Sequence, residues 1–171
     1  SADTISKLSS SIKIIANGAV GFGNIDIKAA KEKGITVTNT PDVLTDATAD
    51  IQILLLLGAS RKAYEGRLAA ETQNWKWSWD FLLGKQMSNK KLGILGMGRI
   101  GRAVAKRAKA FNMEIHYHNR SKLSPELEDG AIYHKDLKSL FKQSEFLSIN
   151  CPATPETVSY THLTLPTSHC V

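Results

Sequence analysis

The hexapeptide Gly96-Met97-Gly98-Arg99-Ile100-Gly101 has the form G-x-G-x-x-G, a spacing suited to holding phosphate on backbone amides. The first glycine permits a tight turn, the second lets a pyrophosphate approach the main chain, and the third lets a helix pack closely on a strand. A helix starting there adds its unpaired N–H groups and the positive end of its dipole. A bare glycine triplet is often only a turn, so the flanks decide. A strand-like run, Lys91–Leu95, precedes this one and a helix-like run, residues 99–111, follows, which is the context the motif requires.

The next informative place is the end of the following strand, ~20 residues on, where a carboxylate would grip the ribose 2′-hydroxyl of NAD. The residues there are Asn119-Arg120-Ser121. With no carboxylate, Arg120, helped by Ser121 or Lys122, can receive the 2′-phosphate of NADP; the alternative is a plain surface arginine at a strand end. The reading favours NADP (NADPH) over NAD.

These residues need a parallel α/β frame. Strand 91–95, helix 99–111, strand 114–117, a helix over 137–142 and a strand over 145–150 predict a βαβαβ arrangement and a right-handed parallel sheet. If that is the first half of a doubly wound sheet, the 91–95 strand is central. Its far side then awaits a strand from the second half and exposes an aggregation-prone edge. Upstream, residues 12–16 read as a strand, 26–33 as a helix stopped by Gly34, and 35–38 as a second strand closed by Asn39-Thr40-Pro41. Residues 44–73 are helical in composition, with Thr45 or Asp46 able to cap them, Ile51, Leu54, Leu55 and Leu57 on an apolar face, and Gly58 or Gly66 as points of division. Residues 74–84 are irregular and hold all three tryptophans.

Composition narrows the classes. The 171 residues are 42% apolar and carry a net charge of +6 spread along the chain, without the dense basic run that nucleic acid or an anionic membrane would call for. No apolar run approaches the ~20 residues of a membrane span. Two cysteines, Cys151 and Cys170, are too few for a disulfide framework or a zinc cluster and suit a reducing, cytoplasmic setting. No metal site is expected.

With Lys13-Ile14-Ile15-Ala16-Asn17, Val20-Gly21, Asn24-Ile25-Asp26, Val37-Thr38-Asn39-Thr40-Pro41, the 92–101 string and Pro152-Ala153-Thr154-Pro155-Glu156-Thr157, the chain resembles the D-isomer-specific 2-hydroxyacid dehydrogenases, nearest their glyoxylate and hydroxypyruvate reductases. The resemblance runs from about residue 12 to 157. It implies a Rossmann-like doubly wound parallel sheet, here the first βαβαβ half only, plus part of a flavodoxin-like substrate domain. The implied domains are 1–43 (substrate) and 44–157 (NAD(P)-binding), with 158–171 a tail that departs from the family.

The resemblance places the amides of Val20 and Gly21 on the substrate carboxylate, as an anion nest would, Thr48 near the nicotinamide, Cys151 and Pro152 beside the adenosine, and Thr157 within reach of the cofactor. Together with Gly96, Gly98, Arg99, Ile100, Gly101, Asn119, Arg120 and Ser121, these are the candidate binding residues. Plain structural roles stay open for the Val20-Gly21 turn, for Thr48 facing a core and for the Cys151-Pro152 loop. The family's catalytic arginine, glutamate and histidine match no position here, so none is assigned. His116, His118 and His134 read as structural or surface residues, and His162 and His169 fall in the tail.

The implied parent transfers a hydride between NAD(P)H and a small 2-keto or 2-hydroxy acid, as a homodimer contacting through residues 44–73 and one of Trp77 or Trp79. Tryptophans packed within their own domain are the alternative. The chain, which opens on Ser1, is expected to be an inactive, poorly folding piece of that parent. A non-catalytic dinucleotide sensor or scaffold of the corepressor type is the rival reading, because the fold serves both.

Overall fold

A computed structural model of the chain describes residues 1–73 and 75–152. The chain divides into two compact units, Ser1–Leu44 and Thr45–Val171.

In the first unit, helix α1 (Ala2–Ser6) and helix α2 (Ile27–Glu32) accompany strands β1 (Ile14–Ala16) and β2 (Thr36–Thr38), which pair in parallel with Ile15 opposite Val37. Asp26 caps α2, its carboxylate accepting from Ala29 N–H at 2.9 Å, the satisfaction an N-cap provides. Gly34 ends that turn at φ +68°. Ile5, Ala30 and Ile35 form the small core.

In the second unit, helices α3 (Thr45–Ser60) and α4 (Ala63–Thr72) lead to strand β3 (Lys91–Leu95), helix α5 (Arg99–Lys109) and strand β4 (Glu114–His118). Helix α6 (Pro125–Glu128), strand β5 (Ile132–Tyr133), helix α7 (Leu137–Gln143) and strand β6 (Phe146–Ile149) follow. The strands are all parallel, in the order β5-β4-β3-β6. Leu92, Ile94 and Leu95 are buried, as expected of a central strand covered on both faces. Val104, Ala105 and Ala108 of α5 join the same core.

The α/β parallel architecture is as expected, but the place of the last strand is not. Strand β6 pairs with β3, Gly93 opposite Leu147, so the far side of β3 is filled from within this chain and is no open edge. The expectation missed β5, which is two residues long, too short for any periodicity to register. With β5 taking the outer place beside β4, the chain crosses back over β3, and β6 makes the fourth strand.

The 44–73 helix is divided, at neither Gly58 nor Gly66. Lys62 adopts φ +53° between α3 and α4. The Ser60 carbonyl there accepts Lys85 N–H at 2.7 Å, so a distant segment takes the acceptor that would have continued the ladder. Thr45 and Asp46 begin α3 and do not cap it; Asp46 and Asp50 instead bond Arg107 of α5, at 3.0 and 2.6 Å.

Ile51, Leu54 and Leu55 of α3 are each more than half exposed, as are Trp75, Trp77 and Trp79. Trp75 stacks on Phe81 at 5.5 Å and Trp77 meets Trp79 edge-on at 5.3 Å. The tryptophans therefore pack on neighbours without entering the core of their own unit. No described helix is long and apolar enough to cross a membrane.

Candidate functional site

At the carboxyl ends of β3, β4 and β6 lies a cleft of about 820 Å³. It sits where the chain crosses from one side of β3 to the other, the switch point at which open α/β sheets bind ligands. The glycine loop forms its floor. Gly96 has φ +93°, and a Cβ there would meet Cys151 N at 2.7 Å and the Asn150 carbonyl carbon at 2.8 Å. A Cβ on Gly101 would stand 2.3 Å from Gly96 O, so the helix can start this close only with glycine. Gly98 has nothing within 4 Å of its Cβ position. That is the open approach a phosphate needs, above a helix end whose cap residue contributes no side chain.

The loop is pinned to the strand ends. Gly96 N–H donates to His118 O at 3.0 Å, Asn150 N–H to Leu95 O at 2.7 Å, and Met97 N–H to Asn119 Oδ1 at 2.7 Å. Asn119 thus stands where a ribose-binding carboxylate was sought, with its oxygen already committed to the glycine loop. Arg120 and Ser121 are exposed on the cleft wall, and Arg120 bonds no described residue. Arg102 also lines the cleft, its Nε donating to Gly98 O at 3.3 Å. No described aspartate or glutamate lines it; two arginines do.

Of the expected cofactor residues, Gly96, Gly98, Asn119, Arg120, Ser121, Cys151 and Pro152 come together at this cleft. Arg99, Ile100 and Gly101 form the first turn of α5 behind it. Thr48 lies half-buried on α3 and is not among the cleft walls. Thr157 and the tail fall outside the described residues. Val20 and Gly21 belong to the first unit, where three donors hold the loop's carbonyls: Thr40 N–H on Ala19 O (3.1 Å), Asn39 Nδ2 on Val20 O and Asn17 Nδ2 on Gly21 O (both 2.8 Å). The Val20 and Gly21 amides donate to no described group.

Sequence reasoning missed Arg102, His118 and the apolar wall of Leu123, Leu127 and Leu137. Arg102 was legible, one turn into the helix after the glycines. Leu127 and Leu137 come from α6 and α7 and Leu123 from the loop before α6, whose placement no local pattern announces. The wall loop is held by Tyr117, fully buried, whose hydroxyl donates to Glu128 Oε1 at 2.5 Å and accepts Leu123 N–H at 3.1 Å. Burial, with the Glu128 bond, pushes its pKa up to about 12.

A chain of hydrogen bonds joins two buried histidines to more open ends: Glu114 Oε1 to His116 Nε2 (2.5 Å), His116 Nδ1 to His134 Nε2 (2.8 Å), His134 Nδ1 to Ser139 Oγ (2.5 Å). His116 and His134 are buried and do not line the cleft. His118 differs: it lines the cleft, and because its Nδ1 faces the His134 carbonyl at 2.8 Å, that nitrogen carries the proton. Burial, then the neighbouring His116, holds the His134 pKa below the ordinary value, Asp136 opposing and His118 reinforcing. The unfolded chain therefore takes up this proton first. His134's contribution to stability is present above about pH 6.5 and is lost as pH falls from there toward the depressed folded value. Thermal melts should show a lower Tm at pH 5.5 than at 7.5, with a shallower slope in His134→Gln; identical slopes would contradict this.

A parallel sheet reversing beside a glycine-rich strand-to-helix turn defines a dinucleotide-binding domain. Residues 53–162 match the model described as D-isomer specific 2-hydroxyacid dehydrogenase, NAD binding domain, and the chain belongs to that family. Glyoxylate reductase of Thermococcus litoralis is 48% identical over 153 residues, covering 85% of this chain and 46% of its own. Glycerate dehydrogenase of Hyphomicrobium methylovorum is 44% identical over 158 residues, covering 91% and 49%. The crystal structure of a glyoxylate reductase from Paecilomyes thermophila superposes with a TM-score of 0.82 at 46% identity, covering 91% of this chain and 47% of that one. The chain thus spans about half the length of the curated relatives it matches.

Proposed function

We propose that the cleft binds NADP(H) in preference to NAD(H), as part of a parent protein that reduces a small 2-keto acid such as glyoxylate or hydroxypyruvate, and that the 171 residues alone, with no assigned proton-transfer group, do not turn over. The observation that carries the cofactor preference is a cleft that no described carboxylate lines, in which Asn119 is tied to the glycine loop and Arg120, at the strand end, bonds no described residue. Arg120 suits a 2′-phosphate because its fork of donors matches phosphate oxygens, while a ribose-gripping carboxylate would repel them. Gly96, Gly98 and the first amides of α5, those of Arg99, Ile100 and Gly101, hold the pyrophosphate; Leu123, Leu127 and Leu137, with Cys151 and Pro152, enclose the adenosine side. The bound cofactor would supply the hydride. Glyoxylate reductase activity in relatives named as such supports the substrate class.

In this reading the first unit is part of the substrate domain, and the Val20 and Gly21 amides hold the substrate carboxylate. Three donors hold that loop's carbonyls while its Val20 and Gly21 N–H groups donate to no described acceptor, an arrangement suited to an anion. Thr48 and Thr157 keep the cofactor contacts that the resemblance implies.

Titrating the chain with NADPH and NADH tests the preference. Arg120→Ala should weaken NADPH by about 10- to 100-fold, the value of one or two charge-assisted hydrogen bonds, and leave NADH nearly unchanged. Equal loss for both cofactors, or tighter NADH binding by the wild type, would sink the preference.

The exposed apolar face of Ile51, Leu54 and Leu55, with Trp77 and Trp79, supports a homodimer contacting there. Light scattering should report a dimer at micromolar concentration for the wild type and a monomer for Leu54→Glu with Leu55→Glu; a monomeric wild type refutes it.

A further inference from the structure

We propose that Gln52 is a positioning residue for the cofactor cleft, an inference that rests on the cofactor reading above. Gln52 lies on α3 and reaches β6 through a closed ring of hydrogen bonds. Gln52 Nε2 donates to Asn150 Oδ1 at 2.7 Å, Asn150 Nδ2 to Ser148 Oγ at 3.0 Å, and Ser148 Oγ to Gln52 Oε1 at 2.7 Å. Each group donates once and accepts once, so all three bonds run in one direction around the ring. Such head-to-tail networks polarise one another and hold a single geometry.

What the ring holds is the exit of β6. Asn150 is followed by Cys151 and Pro152, and all three line the cleft. The same turn sits so close to Gly96 that a Cβ there would lie 2.7 Å from Cys151 N and 3.0 Å from Asn150 O. One main-chain bond, Asn150 N–H to Leu95 O, fixes the start of the turn from the β3 side, and the ring fixes its side chain from the α3 side. Ser148 is buried, so without Gln52 its hydroxyl loses its acceptor in a place water reaches poorly. The turn would then be free to settle toward Gly96 or away from it, changing the width of the cleft where the phosphates enter. Gln52 touches no cleft space itself and acts through Asn150.

The test is Gln52→Met, which keeps length and removes both polar ends. Two readouts are taken well below the melting range. The first is the rate at which iodoacetamide alkylates the half-buried Cys151 thiol, followed by peptide mapping to separate it from Cys170. The second is the Kd for NADPH. We expect Cys151 to react at least about threefold faster and NADPH to bind about fivefold more weakly. A merely structural role would lower Tm and leave both readouts alone. A folded variant with wild-type labelling overturns the proposal, and so does faster labelling with unchanged NADPH affinity. Faster labelling in a protein whose wild type binds no dinucleotide upholds the positioning of the turn and rejects the cofactor reading instead. If Gln52→Met does not fold, Ser148→Ala, which opens the ring at another link, is read by the same outcomes.

Discussion

Gly96→Ala should abolish dinucleotide binding and lower the Tm by roughly 10 °C or more. Two costs add. A side chain at φ +93° costs about 1–2 kcal/mol of backbone strain, and the new methyl would press on the main chain of Asn150 and Cys151 at 2.7–3.0 Å, where neither neighbour has a rotamer to yield. Overpacking of that kind adds about 1–3 kcal/mol, and each kcal/mol is worth several degrees in a domain of this size. Gly98→Ala is the control. Its φ is −79° and its Cβ would meet nothing within 4 Å, so the fold should tolerate it, while the methyl fills the space a phosphate needs and binding falls. Differential scanning calorimetry beside an NADPH titration separates the two glycines. A Gly96→Ala protein that melts and binds like the wild type would contradict the account of the loop.

Tyr117→Ala should be the most destabilising change at a side chain of the second unit, by about 3–5 kcal/mol. The ring is fully buried, 5.3 Å from that of Tyr133, and its hydroxyl joins Glu128 of α6 to Leu123 of the cleft wall. Tyr117→Phe keeps the ring and removes the junction, leaving Leu123 N–H without its acceptor, at a cost of about 1–3 kcal/mol. Urea denaturation should rank the proteins wild type, Phe, Ala. The Phe variant should also bind NADPH a few-fold more weakly, because the segment from Asn119 to Leu123 is no longer tied to α6. A Phe variant as stable as the wild type would mean that the hydroxyl's two bonds contribute nothing net.

How far the site could be read from sequence depended on how local each part is. The glycine loop was legible because strand, turn and helix are contiguous: the requirement for a turn at Gly96 and for close packing at Gly101 is met within a few residues. Asn119 and Arg120 were found by their distance along the chain from the glycines. What that distance could not reveal is that the Asn119 side chain reaches back 22 residues to Met97, which removes it as a ribose ligand through that oxygen and leaves Arg120 the exposed group. His116 and His134 are buried and bonded to each other, a pairing that depends on β5 setting one beside the other, and β5 carries no signal in two residues.

The parallel α/β class, the glycine-rich strand-to-helix turn, the lack of a carboxylate at Asn119-Arg120-Ser121 and the family were all legible in the residues alone. The first two rest on near neighbours, where residue type and short-range geometry suffice, the third on a fixed distance along the chain, and the family on separate strings of residue types between positions 13 and 157. The remaining features depend on contacts between distant segments. The strand at residues 146–149 lies beside β3 because β5 already occupies the outer edge next to β4. Helix α3 ends at Ser60 because a segment 25 residues later takes its carbonyl. Gln52 reaches Asn150 across 98 positions. Each of these is a competition for one strand edge, one acceptor or one donor, and its outcome depends on which distant group arrives there, which periodicity and local propensity do not encode.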